Sequence, residues 1–137
     1  MDQPFILEEC YDLPIDRLWK ALTDLNAMKV WYFPQLKRFK ALVGFDMEFD
    51  DDGSPYKKQW RVTQLVMGRK WAHSWIYKGF PGSSEVIFEL VPDGNQTLLG
   101  LTHTGLASFP DHPNFARQRF EYGWKVIVSN KLREYLS

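Results

Sequence analysis

The chain has 137 residues, 17 Lys plus Arg against 17 Asp plus Glu, and a single cysteine. That length suits one domain with a real core, and a balanced charge argues against nucleic acid as a partner, which calls for a basic excess. Cys10, being alone, excludes an intramolecular disulfide and points to a cytosolic, cytoplasmic setting. No apolar run reaches the length needed for membrane insertion. The first stretch, MDQPFILEECYD, lacks the basic and apolar regions of a secretory signal.

Residues 4–12 read as a first strand, ended by Leu13-Pro14, and Pro14 suits the first turn of a helix. Ile15, Leu18, Trp19 and Leu22 then predict a short helix with one buried stripe. Asp24 is the expected N-cap of a second short helix, with Leu25, Met28 and Trp31 at helical spacing and Phe33-Pro34 closing it. Beyond this the period changes to two. Phe45, Met47 and Phe49 alternate with Asp46, Glu48 and Asp50, the pattern of a half-buried strand, and a turn follows over 51–55.

The next strand, 59–66, carries Trp60, Val62 and Gln64 on one face. Residues 71–77 present Trp71, His73, Trp75 and Tyr77 on one parity, and 79–84 form a loop. Val86, Phe88 and Leu90 mark another strand. A turn over 92–95 leads to the last one, 97–104, with Leu99, Leu101 and His103 together. Connections this short predict an antiparallel meander.

From Phe115 to Leu136 the sequence predicts one amphipathic helix, roughly 33 Å long at 1.5 Å per residue. Phe120, Trp124, Ile127, Val128, Leu132 and Tyr135 share its apolar face. At about 100° per residue, Arg117, Glu121 and Lys131 fall within the same arc. Either the two cations sit near the helix ends and snorkel to water, or the helix faces a partly hollow interior where polar groups meet a ligand or one another. Gly123 costs about 1 kcal/mol against alanine at such a position, and close approach to a neighbouring strand is the expected reason. Only this helix is large enough to cover the apolar face of the sheet. The expected architecture is α+β: a curved antiparallel sheet around a long C-terminal helix, two short helices after the first strand, and residues 1–137 as a single domain.

Several motifs fall in a familiar order: Pro14-Ile15 with Leu18 through Asp24, Trp31-Tyr32-Phe33-Pro34, Ser74-Trp75, Phe88-Glu89-Leu90, Thr97 through His103, and Gly123-Trp124. Together they resemble the START-like, birch-pollen-allergen-like helix-grip superfamily. Within it the chain is most similar to domains homologous to the C-terminal part of the activator of the heat-shock-protein-ninety ATPase. The resemblance implies a cavity between helix and sheet, while members range from lipid carriers to cyclases, hydrolases and chaperone regulators. Relatives usually carry glycine where Trp60 stands, threonine in place of Ser74, and a glycine-rich strand where this chain has Gly44 alone. A bulky Trp60 would fill space that a relative leaves open.

His73 and His103 fall on the concave face, on strands separated by the one through Phe88. Two strand spacings put them about 10 Å apart, too far to share a metal, and no Cys, Asp or Glu accompanies them at ligand-like spacing. No metal and no cofactor is therefore assigned. Each histidine either donates to a polar ligand head or is a core residue satisfied by a neighbouring hydroxyl. Ser74, Ser84 and Cys10 lack the surroundings of a nucleophile, so no catalytic residue is assigned. An enzyme of the cyclase or hydrolase type would have to use Glu9, Glu121 or His103 as a base, on fold analogy alone.

The candidate ligand-binding set joins the rings of Trp31, Phe33, Phe49, Trp75, Tyr77 and Trp124 with His73, His103, Glu121 and Val128. Phe33, Tyr77 and Trp124 are the rings expected nearest the mouth. The first functional reading is binding of a hydrophobic or amphipathic small molecule, lipid-like or aromatic, without covalent chemistry. The alternative from the resemblance is a heat-shock-chaperone interaction domain working through its surface.

Overall fold

Alternating burial sets the register of the sheet. A computed structural model describes residues 3–137. Residues 1 and 2, the start of the expected domain and of the N-terminal stretch, lie outside the described residues. Strands β1 (Phe5–Tyr11), β2 (Leu36–Arg38), β3 (Asp46–Phe49), β4 (Lys58–Val66), β5 (Lys70–Tyr77), β6 (Ser84–Asp93) and β7 (Gln96–Thr104) form one sheet among the described residues, in the order β1-β7-β6-β5-β4-β3-β2. Every pairing is antiparallel. On β5 the residues Trp71, His73, Trp75 and Tyr77 are buried, and on β7 Leu99, Leu101 and His103 are, so both strands turn one parity inward.

β4 keeps that alternation only halfway. Trp60 and Val62 are buried, but the pairing with β5 shifts register between Val62 and Gln64, leaving Gln64 half-buried. The extra residue of a bulge moves the following side chains to the other face, which is why Gln64 does not continue the expected stripe. β2 has no counterpart in the sequence reading; with three residues and one buried side chain, Leu36, it is too short to show a period. β6 is longer than expected. Asp93 pairs with Gln96, so the turn narrows to Gly94 and Asn95, and Gly94 supplies the positive φ of 61°.

Helices α1 (Ile15–Thr23) and α2 (Leu25–Trp31) form where the sequence places them. The Asp24 carboxylate caps α2 by accepting from the Ala27 N–H at 3.0 Å. The Trp31 indole N–H then donates to the Ala21 carbonyl at 2.8 Å, fixing the angle between the two helices.

The C-terminal rod starts at residue 117, because Phe115 closes a separate 3₁₀ turn and Ala116 is extended. It runs as α3 (Arg117–Trp124), a π-helical segment (Lys125–Leu132) and α4 (Arg133–Leu136). Phe120, Trp124, Ile127, Val128 and Leu132 are buried as expected, but Tyr135 is 41% exposed and Leu136 packs on the core in its place. The wider i→i+5 turns of the π segment move the apolar stripe along by about one position, which a period of 3.6 does not anticipate.

A strand residue explains where the rod widens. The Tyr11 hydroxyl on β1 donates to the Val128 carbonyl at 2.6 Å, inside the π segment. A side chain inserted into the helical ladder is one of the recognised causes of such a distortion. Arg133 adds a clamp one turn later, over the Tyr11 ring at 4.5 Å, with its Nη2 donating to the Cys10 carbonyl at 3.1 Å and an ion pair to Glu9 at 3.6 Å.

Candidate functional site

Between rod and sheet, where the sequence reading places a chamber, the space is occupied by rings. Tyr32 is the hub. It stacks on Trp31 with centroids 4.8 Å apart and meets Trp60 at 5.1 Å and Trp124 at 5.7 Å. Trp60 in turn stacks on His73 at 4.2 Å, and Trp71 on Phe88 at 5.1 Å. Trp31, Tyr32, Trp60, Trp71 and Phe88 are all essentially inaccessible to solvent. Trp60 thus fills the middle of the fold, as its bulk suggests.

Both histidines lie in this packed region, linked in register through Val86 on the strand between them. His73 Nδ1 lies 2.9 Å from the Ser74 carbonyl oxygen and Nε2 lies 2.8 Å from the Tyr32 hydroxyl. A carbonyl can only accept, so Nδ1 carries the hydrogen and Tyr32 donates to Nε2. For His103 the order reverses. The Trp124 indole N–H can only donate, and it donates to Nδ1 at 3.0 Å. Nε2–H therefore donates to Ser84 Oγ at 2.9 Å, and Ser84 passes its own hydrogen to the Trp75 carbonyl at 2.8 Å.

Each ring is a neutral tautomer with both nitrogens engaged. Burial pushes the pKa of His73 down to about 3 against a smaller upward pull from the Ser74 carbonyl. His103 is likewise held at about 3, by burial first and then by the positive charge that His73 and Arg117 would oppose to it. Neither has a free lone pair near neutral pH, so neither suits the general-base role considered for His103. Among the described residues, no group of three or more His, Cys, Asp or Glu could hold a metal ion. The indole N–H groups of Trp60, Trp71 and Trp75 have no hydrogen-bond partner.

Open space begins at one end of this packed region. A groove of about 380 Å³ lies between the rod and the β4–β5 end of the sheet. Its walls include Phe33, Trp75, Tyr77 and Trp124, which bring together four of the ten residues of the candidate set. On the rod side Phe120, Val126 and Ile127 continue the apolar surface. Burial raises the Tyr77 phenol pKa, opposed in part by the charge of Arg119. The other candidates are placed elsewhere. Trp31, His73, His103 and Val128 are in the packed core, and Phe49 meets Trp60 edge-on at 4.8 Å beside a different depression. Glu121 pairs with Arg117 at 2.7 Å, so these two polar residues of the apolar arc meet each other.

Gly123 also lines the groove. A Cβ built there would meet nothing within 4 Å, which corrects the expectation of a closely approaching strand. What a side chain at this position would enter is the open groove.

Sequence reasoning missed Tyr32, Lys58 and Phe120 as parts of this region. Lys58 was legible by parity, since it precedes Trp60 by two on β4 and faces the same way; it lies opposite Tyr77 across the β4–β5 pair. Its ammonium sits 4.8 Å from the centre of the Phe33 ring. Burial lowers its pKa, with Asp52 pulling the other way. Tyr32 leaves the helical path of α2 at φ −98° and ψ −85°, so the consecutive rings of Trp31, Tyr32 and Phe33 reach the same interior despite their spacing.

The curved antiparallel sheet, the two short helices and the long closing rod define a helix-grip fold of the START-like type. The family model described as "Activator of Hsp90 ATPase homolog 1-like protein" matches residues 12–137, and the chain belongs to that family. Solved structures share the fold at low identity. CalU16 from Micromonospora echinospora superposes with a TM-score of 0.75 at 24% identity, covering 98% of this chain and 74% of that one. A Bacillus halodurans protein gives 0.77 at 20% identity, over 98% and 97% of the two chains. An HSP90 activator from Plasmodium falciparum gives 0.75 at 20% identity, over 97% and 95%. Among curated proteins none matches in sequence. Among the described residues no helix is long and apolar enough to cross a membrane.

Proposed function

We propose that this domain binds a small amphipathic organic molecule, non-covalently, in the groove between the C-terminal rod and β4–β5. The observation that carries this reading is a groove of about 380 Å³ walled by Phe33, Trp75, Tyr77, Phe120 and Trp124, continuous with the aromatic core. Small-molecule sites have this character: concave, about 300–1,000 Å³, and mostly apolar. The depression over the β3–β4 turn is larger, about 530 Å³, but it is bordered by Asp46, Glu48, Asp50, Asp51 and Asp52. It has rings of its own in Phe49, Tyr56 and Trp60, but it sets them among five acids and three lysines and so offers a ligand a predominantly charged rim.

Titration with an aromatic and lipid library, followed by tryptophan fluorescence and NMR, tests the proposal. Binding should shift Trp124 and Tyr77 selectively, and Gly123→Leu should abolish it by projecting a side chain into the groove. A library in which no compound perturbs those two residues would defeat the reading.

A second reading is a chaperone-interaction domain, supported by the ring-filled interior and by the family's description. It predicts a changed ATPase rate of the host's heat-shock chaperone when the domain is added. No change at high molar excess rejects it.

A further inference from the structure

Lys58, Arg119 and Lys131 all line the groove, and no Asp or Glu does. This imbalance stands out in a chain whose basic and acidic residues are equal in number, 17 and 17. Elsewhere five cations are matched, Arg38 with Glu48, Lys57 with Asp51, Arg61 with Asp46, Arg117 with Glu121 and Arg133 with Glu9; what sets the groove apart is three cations converging on one apolar surface with no acid among them. Among the described residues none of the three groove cations has an ion pair. Arg119 donates from Nη1 to the neutral Asn114 side chain at 2.9 Å, leaving most of its guanidinium donors free. Lys58, half-buried, has a ring face for a neighbour.

We infer that the groove selects organic anions: an aromatic or acyl body lies against Phe33, Trp75 and Phe120 while its carboxylate meets Lys58, with Arg119 and Lys131 adding attraction from the rim. This rests on the proposed binding groove and names its ligand class. Charge-assisted hydrogen bonds between an ammonium and a carboxylate are about twice as strong as neutral ones, and partial burial of Lys58 reduces competition from water. Lys58 stands between this groove and the acidic depression over the β3–β4 turn, so the anion must approach from the rod side, where the acids are absent. Burial lowers the pKa of Lys58 despite the opposing charge of Asp52, and a bound anion would push it back up.

The test uses 2-naphthylacetate and its neutral isostere 2-naphthylacetamide as probes of the unaltered protein. The carboxylate should bind about tenfold more tightly, and Lys58→Gln should reduce that preference to less than about twofold. Should Lys58→Gln fold poorly, the exposed Lys131→Gln and a comparison at about 1 M salt replace it, and each should narrow the preference through lost or screened charge. If the amide binds as well as the acid and shifts Trp124 and Tyr77, anion selection is wrong while the groove stands. A carboxylate preference that survives Lys58→Gln, Lys131→Gln and high salt also overturns the inference. If neither probe shifts those residues, the groove and its selectivity fall together.

Discussion

The packed centre of the molecule and the groove at its end are built from the same residue types and behave in opposite ways. In the centre, Tyr32, Trp60 and Trp71 leave no room, and both polar rings are neutral and fully bonded. At the groove, Phe33, Tyr77 and Phe120 adjoin open volume, and the neighbouring cations lack ion pairs. Trp75 and Trp124 belong to both regions. Aromatic content alone therefore does not distinguish a core from a site, and neither does a missing hydrogen bond, since the Trp60 and Trp71 indole N–H groups in the centre have none; open volume with charge beside it does. A buried group whose hydrogen bonds all close within the protein contributes to the fold, whereas an uncompensated charge beside open apolar surface leaves a partner to be supplied.

The largest expected effect comes from breaking the centre. Trp60→Gly should destabilise the protein by at least about 4 kcal/mol, because the side chain is 0% exposed and touches His73, Trp75, Tyr32 and Phe49. Urea unfolding measures this, and a loss below about 1 kcal/mol would mean that the neighbouring rings collapse into the space.

Acid should act on the centre as well. Both histidines have a folded pKa of about 3, against about 6.5 when unfolded. The unfolded chain then binds two more protons than the native one between these values, so stability falls as pH decreases from about 6.5 toward 3. The limiting slope is about 1.4 kcal/mol per pH unit for each histidine. Unfolding free energy measured from pH 7 to pH 4.5 should show this fall, and His73→Gln should lessen its slope. A flat profile would show that the rings gain protons without unfolding.

Gly123→Ala gives the smallest effect and acts only at the groove. The added methyl meets nothing within 4 Å and removes backbone freedom from the unfolded chain, so stability should rise by about 0.5–1 kcal/mol. Affinity for 2-naphthylacetate should drop a few-fold at the same time. Thermal melts and a binding isotherm on one sample check both signs. A methyl that destabilises the fold would place the rod closer to the sheet than described.

Most elements were legible because their side chains repeat. The alternation through Met47, through Trp71 to Tyr77 and through Leu99 to His103 identified strands, and Asp24 marked the second helix by a specific capping bond. β2 was hidden because three residues carry no period, and Gln64 was misplaced because a register shift leaves no local signature. The π segment escaped because the agent associated with it, Tyr11, is 117 positions from Val128. At the candidate site, Phe33, Trp75, Tyr77 and Trp124 could be grouped by parity and helical spacing. Gly123 was misread as a point of close approach to a strand, since what surrounds it is open space, and emptiness is a property of the assembled fold.

The bond from Tyr11 to Val128 also constrains how the protein is made. β1 leaves the ribosome early, yet its ladder partner is β7, where Phe5 faces His103, and its hydroxyl acceptor emerges later still. The first strand lies at the edge of the sheet and must therefore wait without its one ladder partner until β7 has been synthesised. Contacts of such long sequence separation slow folding and extend the exposure of unpaired backbone. For this domain the vulnerable interval in its production lies between the emergence of β1 and that of the rod whose Val128 carbonyl secures it.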